Sequence, residues 1–320
     1  MTLFRNTVWF LKGLKEYTSS GYARASRSFV EGDLQVDCAG HHYMITGANS
    51  GIGKCIALEV AKRGGTVHLV CRNPTTAEQA RKEISEAASN ENIFVHILDL
   101  SDSKGVHSFA AKFCSTNEAL HGLVNNAGCM VNTREVNEAG LEKNFATNAL
   151  GTYILTTRLL PLLAKTEKSR VVTVSSGGML VQKLDVADLQ FEKMSPFDGT
   201  MAYAQNKRQQ VVMTEQWAAQ HPEVHFSVMH PGWADTPAVR TSMPEFHAKM
   251  KDRLRTPEQG ADTAVWLTLS SAALQQPSGL FFQDRQAVAT HLPLACTRSD
   301  AKDGQQLMAT LEELAQKHQA

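Results

Sequence analysis

Long apolar runs are missing from this 320-residue chain: no stretch approaches the roughly 18–20 apolar residues that a membrane-spanning helix needs. The amino terminus does not read as a secretion signal either. Val8-Trp9-Phe10-Leu11, after Arg5, is too short an apolar region, and Lys12 and Lys15 interrupt the residues beyond it. Cysteine is sparse. No two of Cys38, Cys55, Cys71, Cys114, Cys129 and Cys296 are spaced Cys-x-x-Cys, and several fall in apolar runs, which points to reduced, buried small hydrophobes rather than a disulfide framework or zinc site. No Asn-x-Ser/Thr acceptor with a permitted middle residue occurs, in keeping with an intracellular, cytoplasmic protein. Excess charge is absent as well: 32 basic and 32 acidic residues give a formal net charge of +0. Basic residues form neither long runs nor an aromatic-interleaved stripe, so nucleic acid is not an expected partner. No His/Cys/Asp/Glu cluster has metal-ligand spacing.

What remains is an ordinary globular composition, 42% hydrophobic and 20% charged, carrying one strong pattern. After residue 40, short apolar runs rich in β-branched types occur at His42–Thr46, Thr66–Cys71, residues 93–98, Gly122–Asn125, residues 171–175, 225–230 and 279–282. Segments of helical period lie between them, as at 53–63, 75–87, 141–163 and 201–220. Such alternation predicts βαβ units, hence a single α/β domain with a doubly wound parallel sheet and helices on both faces. His225 and His230 belong to the sixth strand and its edge. Residues 296–304 are polar and read as loop, followed by an amphipathic helix over 305–317.

Before the alternation, Leu3, Phe4, Val8, Phe10, Leu11, Leu14 and Tyr17 fall on one half of a helical wheel, with Arg5, Lys12 and Glu16 opposite. This helix has three destinations open to it: the body of the protein, a membrane surface touched through residues 3–17, or a partner.

The first strand runs into Thr46-Gly47-Ala48-Asn49-Ser50-Gly51-Ile52-Gly53, and a helix opens immediately. Glycines at such a junction let the backbone turn tightly and approach a pyrophosphate, which the helix N-terminus stabilises with free N–H groups and its dipole. The spacing Gly-x-x-x-Gly-x-Gly on a Rossmann-type unit resembles the short-chain dehydrogenase/reductase family. Further motifs of that family occur in order: Asp99 after the third strand, Asn125-Asn126-Ala127-Gly128 after the fourth, Asn148, Ser175-Ser176, Tyr203-x-x-x-Lys207 and Pro231-Gly232. The likeness spans residues 41–285, and around 47–54 and 175–207 it is similar to the retinol dehydrogenase-like branch. Residues 41–295 are therefore expected to form the dinucleotide-binding catalytic domain, with 1–40 an amphipathic extension and 296–320 a tail and helix.

The end of the second strand bears on the cofactor. An acidic residue there would accept from a ribose 2′-hydroxyl and repel a 2′-phosphate. Here the position is Cys71, and Arg72 comes next with a guanidinium suited to gripping phosphate. NADP(H) is the expected cofactor. The resemblance implies that Thr46, Gly47, Asn49, Ser50, Gly51, Ile52 and Gly53 form its phosphate turn, and that Asp99, with Leu100, meets the adenine. A helix N-cap is the other task open to Asp99, one that Ser101 could instead provide. Asn125, Ala127 and Gly128 shape the nicotinamide pocket, Pro231 and Gly232 turn the chain beside it, and Thr236 is placed to bond its carboxamide.

Tyr203 and Lys207, four apart on a helix, share a face. A free phenol titrates near about 10, and a fixed ammonium favours its ionised form, bringing proton transfer toward neutral pH. The resemblance assigns Ser176 to the substrate oxygen, leaves Ser175 structural, and gives Asn148 a water-holding role that extends the proton path from Lys207. Residues 181–197 resemble an insertion of the retinol dehydrogenase-like branch. Residues 237–255, where the family places its substrate lid, carry Met243, Phe246 and Met250 among Arg240, Lys249, Lys251 and Arg253. Cover over a hydrophobic substrate and plain helix packing both fit that pattern. The expected partner is a small hydrophobic carbonyl or alcohol of lipid, retinoid or steroid type. Homo-oligomerisation stays open, as does the alternative of an NADP(H)-binding regulatory or membrane-surface protein with little turnover.

Overall fold

Eight strands align in the order β3-β2-β1-β4-β5-β6-β7-β8 in the computed structural model, which describes residues 2–319. They are β1 His42–Thr46, β2 Thr66–Cys71, β3 Ile93–Ile97, β4 Gly122–Asn125, β5 Arg170–Val174, β6 His225–Met229, β7 Phe281–Gln283 and β8 Gln286–Ala287. Every ladder is parallel except β7 with β8, an antiparallel hairpin turned at Asp284 and Arg285, both at positive φ (50° and 59°). The expected doubly wound sheet is what forms. Several strand ends differ from the sequence reading: β5 stops at Val174, β6 stops at Met229 with His230 beyond it, and β7 runs from Phe281 to Gln283. β3 stops at Ile97, and β5 begins one residue early because Arg170 pairs with both Gly122 and His225.

β4 and β5 are buried along their whole length, as strands covered on both faces must be. One face is packed by the helices Ser103–Thr116, Gly151–Lys165 and Gly199–Gln220 through Phe113, Leu159, Leu163, Met213 and Trp217. The other is packed by Gly51–Ala61, Pro74–Ala88 and Pro257–Leu269 through Ile56, Val60, Ile84 and Val265. The single helix expected over 141–163 is three pieces: Lys143–Phe145, a π-helical turn Ala146–Leu150, and Gly151–Lys165. The C-terminal helix Ala301–Lys317 starts four residues earlier than its apolar periodicity announces, because Asp300 caps it by accepting from Asp303 N at 2.7 Å. Its Leu307 and Leu311 join the first core, and Glu312 bonds Tyr153 (3.0 Å) and Arg158 (3.0 Å).

The N-terminal helix Thr2–Glu16 lies on the body of the protein through only part of the face its periodicity suggests, with Val8, Leu14 and the following Tyr17 packed inward. Trp9, Gly13 and Tyr17 form the contacting edge, while Leu3 (82% exposed) and Leu11 (61%) face outward. Gly13 is required there, since a Cβ would sit 2.3 Å from the Trp233 indole. Residues after this helix strap back along the second core: Trp266 Nε1 donates to Asp33 (2.7 Å) and Arg63 Nε to the Leu34 carbonyl (2.9 Å). Among the described residues no helix is long and apolar enough to cross a membrane, and all six cysteines are free thiols.

Candidate active site

The strand order reverses between β1 and β4, and open α/β sheets hold their ligands outside the carboxyl ends of the strands at such a point. A cavity of about 420 Å3 lies there. Its first wall is the glycine turn. Gly47 and Gly51 have φ of +65° and +52°, left-handed conformations that a side chain would strain. A Cβ on Gly53 would lie 2.4 Å from both Asn126 Nδ2 and the Gly47 carbonyl, so the turn can only close on glycine. Thr46 holds this turn against β4. Its hydroxyl accepts from Asn126 N (3.0 Å) and Ala127 N (2.9 Å) and donates to the Val124 carbonyl (3.3 Å). The helix Gly51–Ala61 opens toward the cavity with no side-chain cap from Ser50 and no acidic residue in its first turn. Its leading amides are thus available to an anion, and a pyrophosphate fits this donor set.

Arg72 and Asp99, from the ends of β2 and β3, line the next wall 3.9 Å apart, with Arg72 69% exposed. Asp99 Oδ1 accepts from both the amide and the hydroxyl of Ser101 (2.8 Å each). The helix Ser103–Thr116 is capped by Asp102, not by Ser101, because Asp102 Oδ1 is the acceptor that reaches Gly105 N (3.0 Å). At the position an acid would occupy, burial pushes the Cys71 thiol up, opposed by hydrogen bonds from the Ala48 and Asn49 amides.

Beyond the glycine turn lie Ser176, Tyr203 and Lys207. Lys207 Nζ donates to the Val174 carbonyl (2.8 Å) and Gln210 Oε1 (3.0 Å) and stands 5.3 Å from the centre of the Tyr203 ring. Burial raises the Tyr203 phenol above its ordinary value and pushes the Lys207 ammonium down to about 7. Cys129, lining the same wall, is the second influence on both. Ser176 Oγ accepts only from Gly178 N (3.2 Å), whereas Ser175 Oγ is buried and donates to the Lys207 carbonyl (2.8 Å). Ser175 therefore braces the helix that carries Tyr203.

Thr46, Gly53, Asn125 and Asn148 do not line the cavity; each stands behind its wall. Asn125 Nδ2 donates to Thr156 (2.8 Å), which fixes β4 to the helix beneath it. Asn148 sits in the π-helical turn and clasps Cys129, accepting from its amide and donating to its carbonyl (2.8 Å each). Gly128 leaves the gap between this asparagine and the lysine. A Cβ there would lie 3.2 Å from Asn148 Oδ1 and 3.6 Å from Lys207 Nζ. Thr236, at the cavity, caps the helix Pro237–Ser242 by accepting from Val239 N (3.3 Å).

Sequence reasoning missed several residues. Gln210 joins Lys207 to the Asn148 carbonyl (2.8 Å), and its place one turn beyond the lysine was the available signal. Trp9, Met130, Thr200 and Trp233 line the far end of the cavity with Met243 and Phe246 of the 237–255 segment. That segment forms the helices Pro237–Ser242 and Pro244–Met250, and Met250 packs against Tyr17 and Trp233. It thus both faces the cavity and packs the body.

Comparison with known proteins bears on the family and the fold. The short chain dehydrogenase family profile matches residues 41–187. Over 316 residues the chain is 62% identical to Dehydrogenase/reductase SDR family member 12 of Homo sapiens, covering 99% of each. It is 34% identical to Retinol dehydrogenase 11 of Homo sapiens over 253 residues, 78% of this chain and 79% of that one. Among solved structures, a short chain dehydrogenase from Escherichia coli CFT073 complexed with NADPH aligns with a TM-score of 0.64 at 23% identity, over 80% of this chain and 100% of the other. That likeness is one of fold, whereas the sequence identities carry the assignment: the chain belongs to the short-chain dehydrogenase/reductase family, a family of oxidoreductases.

Proposed function

We propose that this protein interconverts a carbonyl and an alcohol with NADP(H), acting on an uncharged hydrophobic substrate. The observation that carries the reading is the convergence of Ser176, Tyr203 and Lys207 on one cavity that the glycine turn also lines. The Escherichia coli structure with NADPH bound and the retinol dehydrogenase relatives support it.

In this reading the amides at Ser50 and Gly51 and the leading turn of the helix after them hold the pyrophosphate, and Arg72 takes the 2′-phosphate. Asp99 and Leu100 meet the adenine, Asn126, Ala127 and Gly128 bound the nicotinamide side, and Pro231, Gly232 and Thr236 close over it. A bound nicotinamide supplies hydride transfer to or from the substrate carbon. The chain itself handles the proton. Burial keeps Tyr203 protonated, which suits donation to a carbonyl oxygen as negative charge develops there. Ser176, whose hydroxyl hydrogen is not committed to any partner among the described residues, donates to the same oxygen. Lys207 spends two of its three N–H groups on Val174 and Gln210, leaving the third for the Tyr203 side of the cavity. Asn148 and Gln210 fix the polar path behind the lysine. The substrate end is walled by Trp9, Met130, Trp233, Met243 and Phe246, none of them charged, so an apolar body fits there.

NADPH titration followed by reduction of an aldehyde and ketone panel tests the proposal. Tyr203→Phe is expected to bind NADPH as the wild type does and to lose about 10²–10⁴-fold in turnover, the usual worth of a positioned proton donor. Equal turnover by this variant would sink the proton role. A wild type that binds NADPH yet reduces nothing on the panel would favour a regulatory nucleotide binder.

A further inference from the structure

The N-terminal helix Thr2–Glu16 lies outside the 41–187 region that carries the family match, and yet Trp9 lines the cavity. Its indole meets Trp233 edge-on at 5.7 Å, and Trp233 meets Phe246 of the 237–255 segment at 5.2 Å. Three aromatic rings from three separate parts of the chain thus share one end of the pocket.

Trp9 also reaches the residue after the proposed catalytic serine. Its Nε1 donates to the Gly177 carbonyl at 2.7 Å, while the Gly177 amide donates to His230 Nδ1 at 2.9 Å. Gly177 is therefore held at both its amide and its carbonyl. His230 is itself pinned by the edge of Tyr17, ring centres 4.3 Å apart, and a Cβ on Gly177 would strike both rings, at 2.8 Å and 3.1 Å. The helix that supplies Trp9 and Tyr17 is seated by a hydrogen bond from Trp233 N to the Tyr17 carbonyl (2.8 Å) and by Arg255, which donates to the Glu16 carbonyl (2.7 Å).

We infer that the N-terminal helix is the outer wall of the substrate site, with Trp9 selecting a flat apolar substrate body and positioning Ser176 through Gly177. The two tasks use different parts of the indole. The ring face and edge supply dispersion and quadrupole contact with a planar ring system or conjugated chain. The N–H fixes the Gly177–Gly178 peptide while His230 fixes the Gly177 amide, and the two together hold the residue next to Ser176 so that the serine hydroxyl stays where the substrate oxygen must sit. A short aliphatic carbonyl does not reach the aromatic end and is indifferent to the first task while remaining subject to the second. This inference rests on the carbonyl–alcohol reading above.

The test compares wild type, Trp9→Ala, Trp9→Phe and the exposed-face control Leu11→Ala in the full-length protein, with NADPH and two aldehydes, propanal and 2-naphthaldehyde. Trp9→Ala is expected to raise KM for 2-naphthaldehyde at least tenfold and that for propanal less than twofold, with a lower kcat for both. Trp9→Phe keeps a ring but lacks the donor, so it should restore KM for 2-naphthaldehyde while kcat stays several-fold low on both substrates. Leu11→Ala should match the wild type. Calorimetric binding of 2-naphthaldehyde to the NADP+-loaded protein gives a readout that needs no turnover. No turnover of either aldehyde by the wild type, with binding weakened in Trp9→Ala, would reject the enzymatic reading and keep the wall. Equal binding by wild type and Trp9→Ala, or an equal KM effect on both aldehydes, would overturn the wall. An undiminished kcat in Trp9→Phe would overturn the positioning of Ser176.

Discussion

Arg255 offers the sharpest test of how this fold holds its N-terminal helix. The side chain is 1% exposed, and all five of its N–H donors are engaged. Two meet Asp284 in a bidentate pair (2.6 and 3.0 Å), and the others meet the carbonyls of Thr18 (3.4 Å), Glu16 (2.7 Å) and Pro231 (3.3 Å). Arg255→Met keeps much of the stem's volume and removes every donor. The buried Asp284 carboxylate would keep only a long contact from Gln283 (3.4 Å). Removing one partner of a buried ion pair costs about 3–5 kcal/mol, chiefly because the remaining charge is left uncompensated. If the three carbonyls find no water, each adds up to about 1 kcal/mol. Loss of at least about 3 kcal/mol is expected, read as a fall in urea midpoint by intrinsic fluorescence and circular dichroism.

The sign of a second substitution identifies the cause. In Arg255→Met/Asp284→Leu the stranded charge is gone, so the double variant should recover about 2 kcal/mol relative to the single one. Trypsin should also cut faster after Lys12 and Lys15 in the single variant, because the carbonyls anchoring the end of this helix have lost their donor. A single variant losing less than about 1 kcal/mol, or a double variant less stable than the single, would refute the reasoning.

Two further outcomes concern the site and the sheet. Arg72→Ala should weaken NADPH binding about 5–30-fold and leave NADH binding within twofold, since an exposed charge-assisted pair is worth about 1–2 kcal/mol; unchanged NADPH affinity in a direct titration would remove the 2′-phosphate role. His42, His68 and His96 form a hydrogen-bonded row (3.1 and 3.0 Å) across β1 to β3, and burial pushes His68 down to about 3 and nearby His121 down to about 4. Unfolded, these rings would bind protons near about 6.5, so the unfolded chain binds more protons between there and the folded values. Stability from these groups is full above pH of about 6.5 and falls as the pH drops toward 3–4; His68→Leu should flatten the slope of urea stability between pH 6 and 4.5 by about 1.4 kcal/mol per pH unit, and an unaltered slope would refute it.

Where chemistry is set by neighbours in sequence, the chain was readable. Gly47, Gly51 and Gly53 advertise the turn because their spacing already reports which backbone positions admit no side chain. Tyr203 and Lys207 share a helix face by geometry alone, and Cys71-Arg72 is visible as the residue pair ending β2. Asn148 is legible from motif order, but its surroundings are not. A π-helical turn leaves no mark on apolar periodicity, and the clasp on Cys129 joins elements 19 residues apart. Strand ends slip by a residue because register is decided by partners, as where Arg170 is drawn into β5 between Gly122 and His225.

The N-terminal helix shows the limit most clearly. Its wheel ranks residues by apolarity, which places Leu3, Phe4 and Leu11 on the face expected to be covered. Val8, Leu14 and Tyr17 of that face do pack inward, and the rest of the contact is decided by fit. Trp9, Gly13 and Tyr17 succeed one another at intervals of four along a single edge, and Gly13, neutral on any hydropathy scale, is the residue that lets the Trp233 indole approach. A face made by absence of a side chain carries no apolar signal. The partner ring also lies far along the chain, just after β6, at a place reached only once the sheet has assembled. The family motifs could therefore be found in order along the chain, while the aromatic end of the pocket emerges only from packing between distant parts of it.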